Sequence, residues 1–549
     1  MADAQPADRP ARPPSTSSAA DPPKAPASPL RAPIALATAV ASGLCLAAAF
    51  PSLGIWLLAP PAVAGLLLAV RNASAVRASG LGLVFGLAFF VPHLAWSGTY
   101  VGLLPWTALA VSQALFVAAT AAALPSAWRA PAGPLGTALA VAGLWTAEEA
   151  LRGRVPFGGF PWGRLAFSQA ESPLGRLAWL GGAPLVTAAV AATGALLAVV
   201  VAEAAGSRRA RRVLGTSGGA TAVLLVGFAV PLDVSGTPVT VAAVQGNVPE
   251  PGLDFNAERR AVLDNHATAT VDLADRAARG TVERPELVVW PENASDIDPL
   301  RNPDAAEVIT RATDAVGVPV LVGAVLREPV DHLSNTSIVW GPTGSAAPGP
   351  GERYVKRHPA PFAEYIPFRS FFRVFSDKVD LVRRDFVPGE RVGVLSVGPA
   401  RVGDVICFEV VHDGLVRDTV RAGADLLAVQ TNNATFGYTD ESVQQLAASR
   451  LRAVETGRAV VHVSTVGVSA LIAPDGALLQ RSDHFQQQVL TGRLPLRTAT
   501  TPAVHLGPIP EYLLAAAGVT LALLGARTRG GRVLARRARL PIPKGGTAT

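Results

Sequence analysis

The chain has 549 residues, half of them hydrophobic and only 16% charged, with 52 Gly, 46 Pro and a mean hydropathy of +0.33. That balance excludes a wholly disordered chain and an ordinary soluble domain, and makes a membrane protein the first class to test. Two cysteines exclude a disulfide scaffold, eight scattered histidines offer no ligand spacing for a metal, and a net charge of +7 points to nucleic acid only if the positive residues gather on one surface.

Residues 1–32, rich in Pro, Ala and Ser, read as a disordered tail. Apolar stretches follow near 33–50, 53–70, 79–98, 104–124, 133–150, 180–203 and 213–231, and an eighth stands alone at 511–526. Each approaches the roughly 20 residues that cross a bilayer. Cys45 in the first stretch lacks the small residue that precedes a processed cysteine, so that stretch reads as an uncleaved span. Eight spans put Arg9, Arg12, Lys24 and Arg31, then Arg71 and Arg77, Arg129, the Arg208–Arg212 cluster and the Arg-rich tail from Arg527 all on the cytoplasmic side, as retention of positive loops requires. The basic charge is thus a topology signal, and no nucleic-acid partner is expected. The loop 151–178, with Arg152, Arg154, Arg164 and Arg176, falls on the outer side and reads either as a lipid or partner surface or as a half-buried re-entrant element.

The resulting organisation is a tail (1–32), a seven-span bundle (33–235), an extracytoplasmic insert (236–497), a linker with the eighth span (498–526) and a basic cytoplasmic tail (527–549). Within the insert, short β-branched runs at Val239–Val244, Leu287–Trp290, Val318–Val325, Val402–Ile406, Leu426–Val429, Val460–Val463 and Val468–Ile472 alternate with helical stretches at Asn256–Ala278, Asp304–Val316 and Glu441–Thr456. That pattern predicts an α/β domain of buried strands covered by helices. Gln245-Gly246-Asn247 has one glycine where a dinucleotide loop needs three, so no cofactor is expected.

Three strand ends carry reactive side chains. In Trp290-Pro291-Glu292 the proline ends strand pairing and presents a carboxylate suited to a general base. The chain uses Arg for 44 of its 48 basic residues, which singles out Lys356, a compact point charge suited to an oxyanion. Cys407, in Ile406-Cys407-Phe408-Glu409, is the one thiol outside the spans and follows a base and a lysine in order, which suits an acyl-transfer nucleophile. A Cys-His pair with His358 or His412 lacks an orienting acid. Taken singly, each of the three also reads as an ordinary strand-end turn acid, solvated lysine or buried thiol.

Together, Glu292, Lys356 with the Pro361-Phe362-Ala363-Glu364-Tyr365-Ile366-Pro367 run, and Cys407 resemble the Glu-Lys-Cys triad of the nitrilase superfamily. The spans and the loop Arg152-Gly153-Arg154 through Gly159-Phe160-Pro161-Trp162 narrow the resemblance to the apolipoprotein N-acyltransferases. The resemblance implies a multi-span helical bundle carrying an αββα sandwich, and transfer of an acyl chain from a phospholipid through a Cys407 thioester to the α-amino group of a diacylglyceryl-cysteine on apolipoproteins. Glu364 and Glu409 are then expected to orient Lys356 and the nucleophile. Thr435-Phe436-Gly437 stands where many members have Trp-Phe-Gly, Phe408 where they often have Tyr, and Phe255 where some have Trp. Phe255 and Phe436 are expected as substrate-cleft contacts, whereas Asn432 and Asn433 either hydrogen-bond in the cleft or shape a strand-to-loop turn. Two other readings compete. An anchored amidase would need only one span, and a transporter would carry more charge within its spans.

Overall fold

The computed structural model describes residues 29–204, 210–248 and 258–537, so the expected N-terminal tail falls outside it up to residue 28. The helical part comprises α1 (Ala32–Ala49), α2 (Ala59–Ala69), α3 (Ala75–His93), α4 (Leu103–Ala121), α5 (Leu124–Ala127), α6 (Gly133–Arg152), α7 (Ala178–Ala204) and α8 (Ala210–Leu225). Every expected span coincides with helix, but among the described residues only five helices are long and apolar enough to cross a membrane: Ala32–Ala49, Ala75–His93, Leu103–Ala127, Pro173–Ala204 and Ile509–Thr528. The expected count of eight therefore exceeds what length and composition support. Trp56–Ala69 and Val213–Ala229 are apolar but short, and α6 spends its last turn on Glu148, Glu149 and Arg152.

The insert folds as two six-stranded sheets. The first runs β12-β1-β2-β3-β4-β5, the second β11-β10-β9-β8-β7-β6. Their strands are β1 (Thr237–Gln245), β2 (Leu287–Val289), β3 (Val320–Leu326), β4 (Ser334–Gly341), β5 (Gly349–Val355), β6 (Val394–Val397), β7 (Ala400–Ile406), β8 (Leu426–Thr431), β9 (Val460–Ser464), β10 (Ala470–Ile472), β11 (Leu478–Arg481) and β12 (Gln488–Leu496). Each sheet has parallel strands at its centre (β1-β2-β3 and β7-β8-β9) and antiparallel ones at its edges. Val241, Val289 and Leu321 of one sheet share a buried core with Val402, Leu426 and Val461 of the other. On the far side of the first sheet, Val244, Val288 and Val322 pack on Leu263 and Leu273 of α9 (Arg259–Ala278) and on Val308 and Ile309 of α10 (Pro303–Val316). After the short α11 (Arg369–Arg373), helices α12 (Asp413–Arg421) and α13 (Glu441–Thr456) cover the second sheet, and their apolar residues join one continuous core with the bundle. The chain closes through α14 (Pro502–Leu506) into α15 (Ile509–Arg537). This is a nitrilase-like αββα arrangement with one helical layer set against the membrane bundle.

Buried charge locks that junction. The 151–178 loop is anchored in the protein at two of its arginines: Arg152 and Arg164 are buried, and Arg152 donates to the carbonyls of Phe160 and Trp162. Arg164 reaches from Glu149 of α6 (3.3 Å) to Asp413 at the start of α12 (2.8 Å), and Asp413 also takes Arg452 of α13 at 2.7 Å. Burial opposes the charge on Asp413, yet Arg164, Arg452 and Arg417 outweigh it and hold the carboxyl well below the usual range. The stability it supplies is thus fully present above a carboxylate's ordinary pKa of about 4 and is lost as pH falls through the depressed folded-state value. Asp413→Asn leaves two buried guanidiniums under-compensated and is expected to cost about 3 kcal/mol. Thermal unfolding in detergent checks this, and an unchanged midpoint would mean that the junction does not depend on the charge.

Candidate active site

Glu292, Lys356 and Cys407 all lie just past the C-terminal ends of strands, the first two on one sheet and the third on the other. Glu292 follows β2 after Trp290 and Pro291, and the turn packs so closely on β3 that a Cβ on Gly323 would sit 2.1 Å from the Pro291 carbonyl oxygen. Lys356 is the residue after β5, its amide tied to the Asn335 carbonyl. Cys407 ends β7 with a φ of +54°, a left-handed conformation disfavoured for a side chain with Cβ and maintained by its surroundings. The turn lifts the sulfur out of the sheet.

The polar contacts converge. Lys356 Nζ lies 3.1 Å from Glu292 Oε1 and 2.9 Å from Glu364 Oε2, and only 2% of its side chain is exposed. Asn335 Nδ2 bridges the same two carboxylates, at 2.6 Å to Glu292 and 2.9 Å to Glu364. The other Glu292 oxygen accepts the Asn432 amide at 2.9 Å. Burial alone would lower the Lys356 pKa, but Glu292 and Glu364 more than offset it and hold the ammonium charged. Cys407 Sγ lies 3.3 Å from Thr431 Oγ1 and 3.5 Å from Gln445 Nε2. Burial first, then the Glu292 charge, push its thiol up against the opposing effect of Lys356, so the resting sulfur is protonated.

Glu409 is fully buried and accepts the amides of Ile406, Arg357 and His358 as well as the Tyr354 hydroxyl. One carboxylate thereby joins the Cys407 turn to the segment after Lys356. His358 and His412 lie with ring centroids 4.1 Å apart, both against Phe408, and neither hydrogen-bonds Cys407 among the described residues. Phe408 in turn stacks with Phe160 and Trp162 of the 151–178 loop.

Of the remaining candidates, Phe436 sits edge-on to Trp96 of the bundle, with centroids 5.1 Å apart. Asn432 shapes a turn through its side chain, which accepts the Ala434 amide, while its own amide holds Glu292. Asn433 is buried and committed to internal partners, Glu441, Gln445 and Ser464. Phe255 lies outside the described residues. Asn335, Thr431 and Gln445 were not foreseen from sequence. Asn335 lies on a strand that alternation did not reveal, and a glutamine within a helix carries no local signal of the thiol it meets.

Two family models cover the chain: the apolipoprotein N-acyltransferase N-terminal domain matches residues 42–196, and carbon-nitrogen hydrolase matches residues 240–502. An apolipoprotein N-acyltransferase of Mycolicibacterium smegmatis is 42% identical over 93% of this chain and 88% of its own length. One from Pseudomonas putida is 31% identical, over 89% and 96% respectively. Among solved structures, an amidase from Nesterenkonia sp. aligns with 49% of this chain and 94% of its own at 18% identity and a TM-score of 0.34. Sequence similarity along both the bundle and the two-sheet domain shows that this chain belongs to the apolipoprotein N-acyltransferase family, the membrane-embedded branch of the carbon-nitrogen hydrolase superfamily.

Proposed function

We propose that the protein moves a fatty acyl chain from a membrane phospholipid to Cys407 as a thioester, and from there to the α-amino group of the diacylglyceryl-cysteine of apolipoproteins. The observation that carries this reading is the convergence of the buried Glu292–Lys356 pair with a thiol on a left-handed turn, under an aromatic wall supplied by the membrane bundle. Because the thiol rests protonated, Glu292 takes its proton as Sγ attacks the phospholipid ester carbonyl. Lys356 Nζ stabilises the tetrahedral oxyanion. Collapse breaks the ester C–O bond, and Glu292 returns the proton to the departing lysophospholipid alkoxide. The acceptor amine then attacks the thioester, Glu292 takes the amine proton and passes it to the leaving thiolate, and the free thiol and an amide result. Glu364 and Asn335 set Lys356 and Glu292 in place, Glu409 sets the Cys407 turn, and Asn432, Asn433 and Phe436 belong to the substrate cleft or its supporting loop.

Both substrates, the phospholipid and the lipid-modified apolipoprotein, are membrane-bound, so the bundle gives them lateral access to the thiol. We assign both termini to the cytoplasm and the catalytic domain (236–497) to the outer face of the bacterial cell membrane, between a bundle at 33–235 and a closing helix within 498–526. The alternation of loop arginines supports that orientation.

Intact mass spectrometry of the full-length protein incubated with phospholipid and no acceptor tests the reading. The expected result is a gain of one fatty acyl group, labile to hydroxylamine and absent from Cys407→Ala. Absence of the adduct in folded protein with lipid present would redirect the reading to amide hydrolysis of a soluble substrate.

A further inference from the structure

Two neighbouring glutamines on α13 face opposite halves of the molecule. The Gln444 side chain is held by the bundle: its Oε1 accepts the indole N–H of Trp162 at 2.7 Å and of Trp96 at 3.2 Å, and its Nε2 donates to the His93 carbonyl at 3.2 Å. Gln445, fully buried, looks into the active site. Its Oε1 accepts the Thr431 hydroxyl at 2.8 Å and Asn433 Nδ2 at 3.1 Å. Those two donors settle which end of the amide is which, so Nε2 must point at Cys407 Sγ, 3.5 Å away. Thr431 also reaches the sulfur, at 3.3 Å, but its one hydrogen has a closer acceptor in Gln445 Oε1 at 2.8 Å, and the Gln445 N–H is a second neutral donor facing Sγ. Consecutive residues on a helix project about 100° apart. One turn of α13 can therefore hold the bundle with one side chain and the nucleophile with the next.

We propose that Gln445 is a neutral donor that stabilises the Cys407 thiolate, and that Gln444 is a positioning residue that makes this donor's placement depend on the bundle tryptophans Trp96 and Trp162. The thiol is thereby fully reactive only when the membrane part is correctly packed around those two buried tryptophans. The charged groups facing the sulfur are Glu292 from the end of β2, Lys356 from the end of β5 and Glu441 from the start of α13. Burial pushes the Glu441 carboxyl up to about 8, the Glu292 charge adds to the rise, and the Asn433 hydrogen bond opposes it. None of the three is altered by the changes below.

The inference rests on Cys407 being the acyl-carrying thiol, and iodoacetamide reads that sulfur whether or not acyl transfer occurs. In full-length Cys45→Ala protein in detergent, with Cys407 the one remaining thiol, the alkylation rate is measured against pH alongside the thermal unfolding midpoint. Gln445→Leu, which removes the donor, is expected to raise the pH midpoint by about one unit, the scale of a charge-assisted hydrogen bond. Gln445→Glu raises it further. Gln444→Leu, and independently Trp162→Phe, which keeps the ring and loses the indole N–H, each raise it in the same direction, and their double variant shifts it by less than the sum. Alkylation midpoints for Gln445→Leu and Gln445→Glu equal to the parent overturn the donor role. Parent-like midpoints in Gln444→Leu and Trp162→Phe overturn the coupling.

Discussion

Glu292→Gln is expected to lower thioester formation by about 10³-fold while the protein still inserts and folds, because general-base catalysis by a positioned carboxylate is worth about 10²–10⁴ in rate. The substitution keeps shape and removes the proton acceptor. It also conflicts with its neighbours: Oε1 now accepts from both Lys356 and Asn335 while Oε2 accepts from the Asn432 amide, so every contact on the carboxylate comes from a donor. A glutamine can turn its oxygen to only one side, and its NH2 then faces a donor on the other. Single-turnover acylation followed by mass spectrometry separates this loss from any defect in the amine-transfer stage. Acylation within about tenfold of wild type would transfer the base role to another carboxylate of the site, with Glu364 and Glu441 the first to test.

Much of this site was legible before the fold because its chemistry sits where strands end. Trp290-Pro291-Glu292 and Ile406-Cys407 are apolar runs closed by a reactive residue, and the structure places both at the C-terminal ends of β2 and β7. The seven expected strands and α13, foreseen as Glu441–Thr456, appear with end shifts of at most a few residues. Edge strands were harder. β5 runs through Gly349-Pro350-Gly351-Glu352, and β11 is mostly exposed, so neither alternates cleanly. The span count went wrong for a physical reason: apolar length cannot tell a lipid-facing helix from one that ends in the buried Glu148, Glu149 and Arg152 of a domain junction. Sequence also left open whether the 151–178 arginines face lipid or protein, since the answer depends on Asp413 some 250 residues away, and local pattern holds no trace of that partner.

Lys356→Arg is the companion test, with acylation expected to fall about 10²-fold or more at little cost to stability. The lysine nitrogen fits between two carboxylates at 2.9 and 3.1 Å, with the flanking Asn335 amide bridging the same pair. A planar guanidinium in that space engages a carboxylate edge-on through two N–H groups, which ties up the base and moves the positive charge away from the reacting carbonyl. Lys356→Met is a poorer probe. It strands Glu292 and Glu364 as neighbouring buried carboxylates without a cation, a change expected to cost about 3–5 kcal/mol and to drive a proton onto one of them. Low activity in that variant would report either oxyanion loss or a collapsed site. In Lys356→Arg the positive charge and an unfolding midpoint near the parent's are retained, so the rate reads the geometry of one donor. Near-normal acylation there would remove the oxyanion role from Lys356 and leave it as a buried ion-pair partner between Glu292 and Glu364.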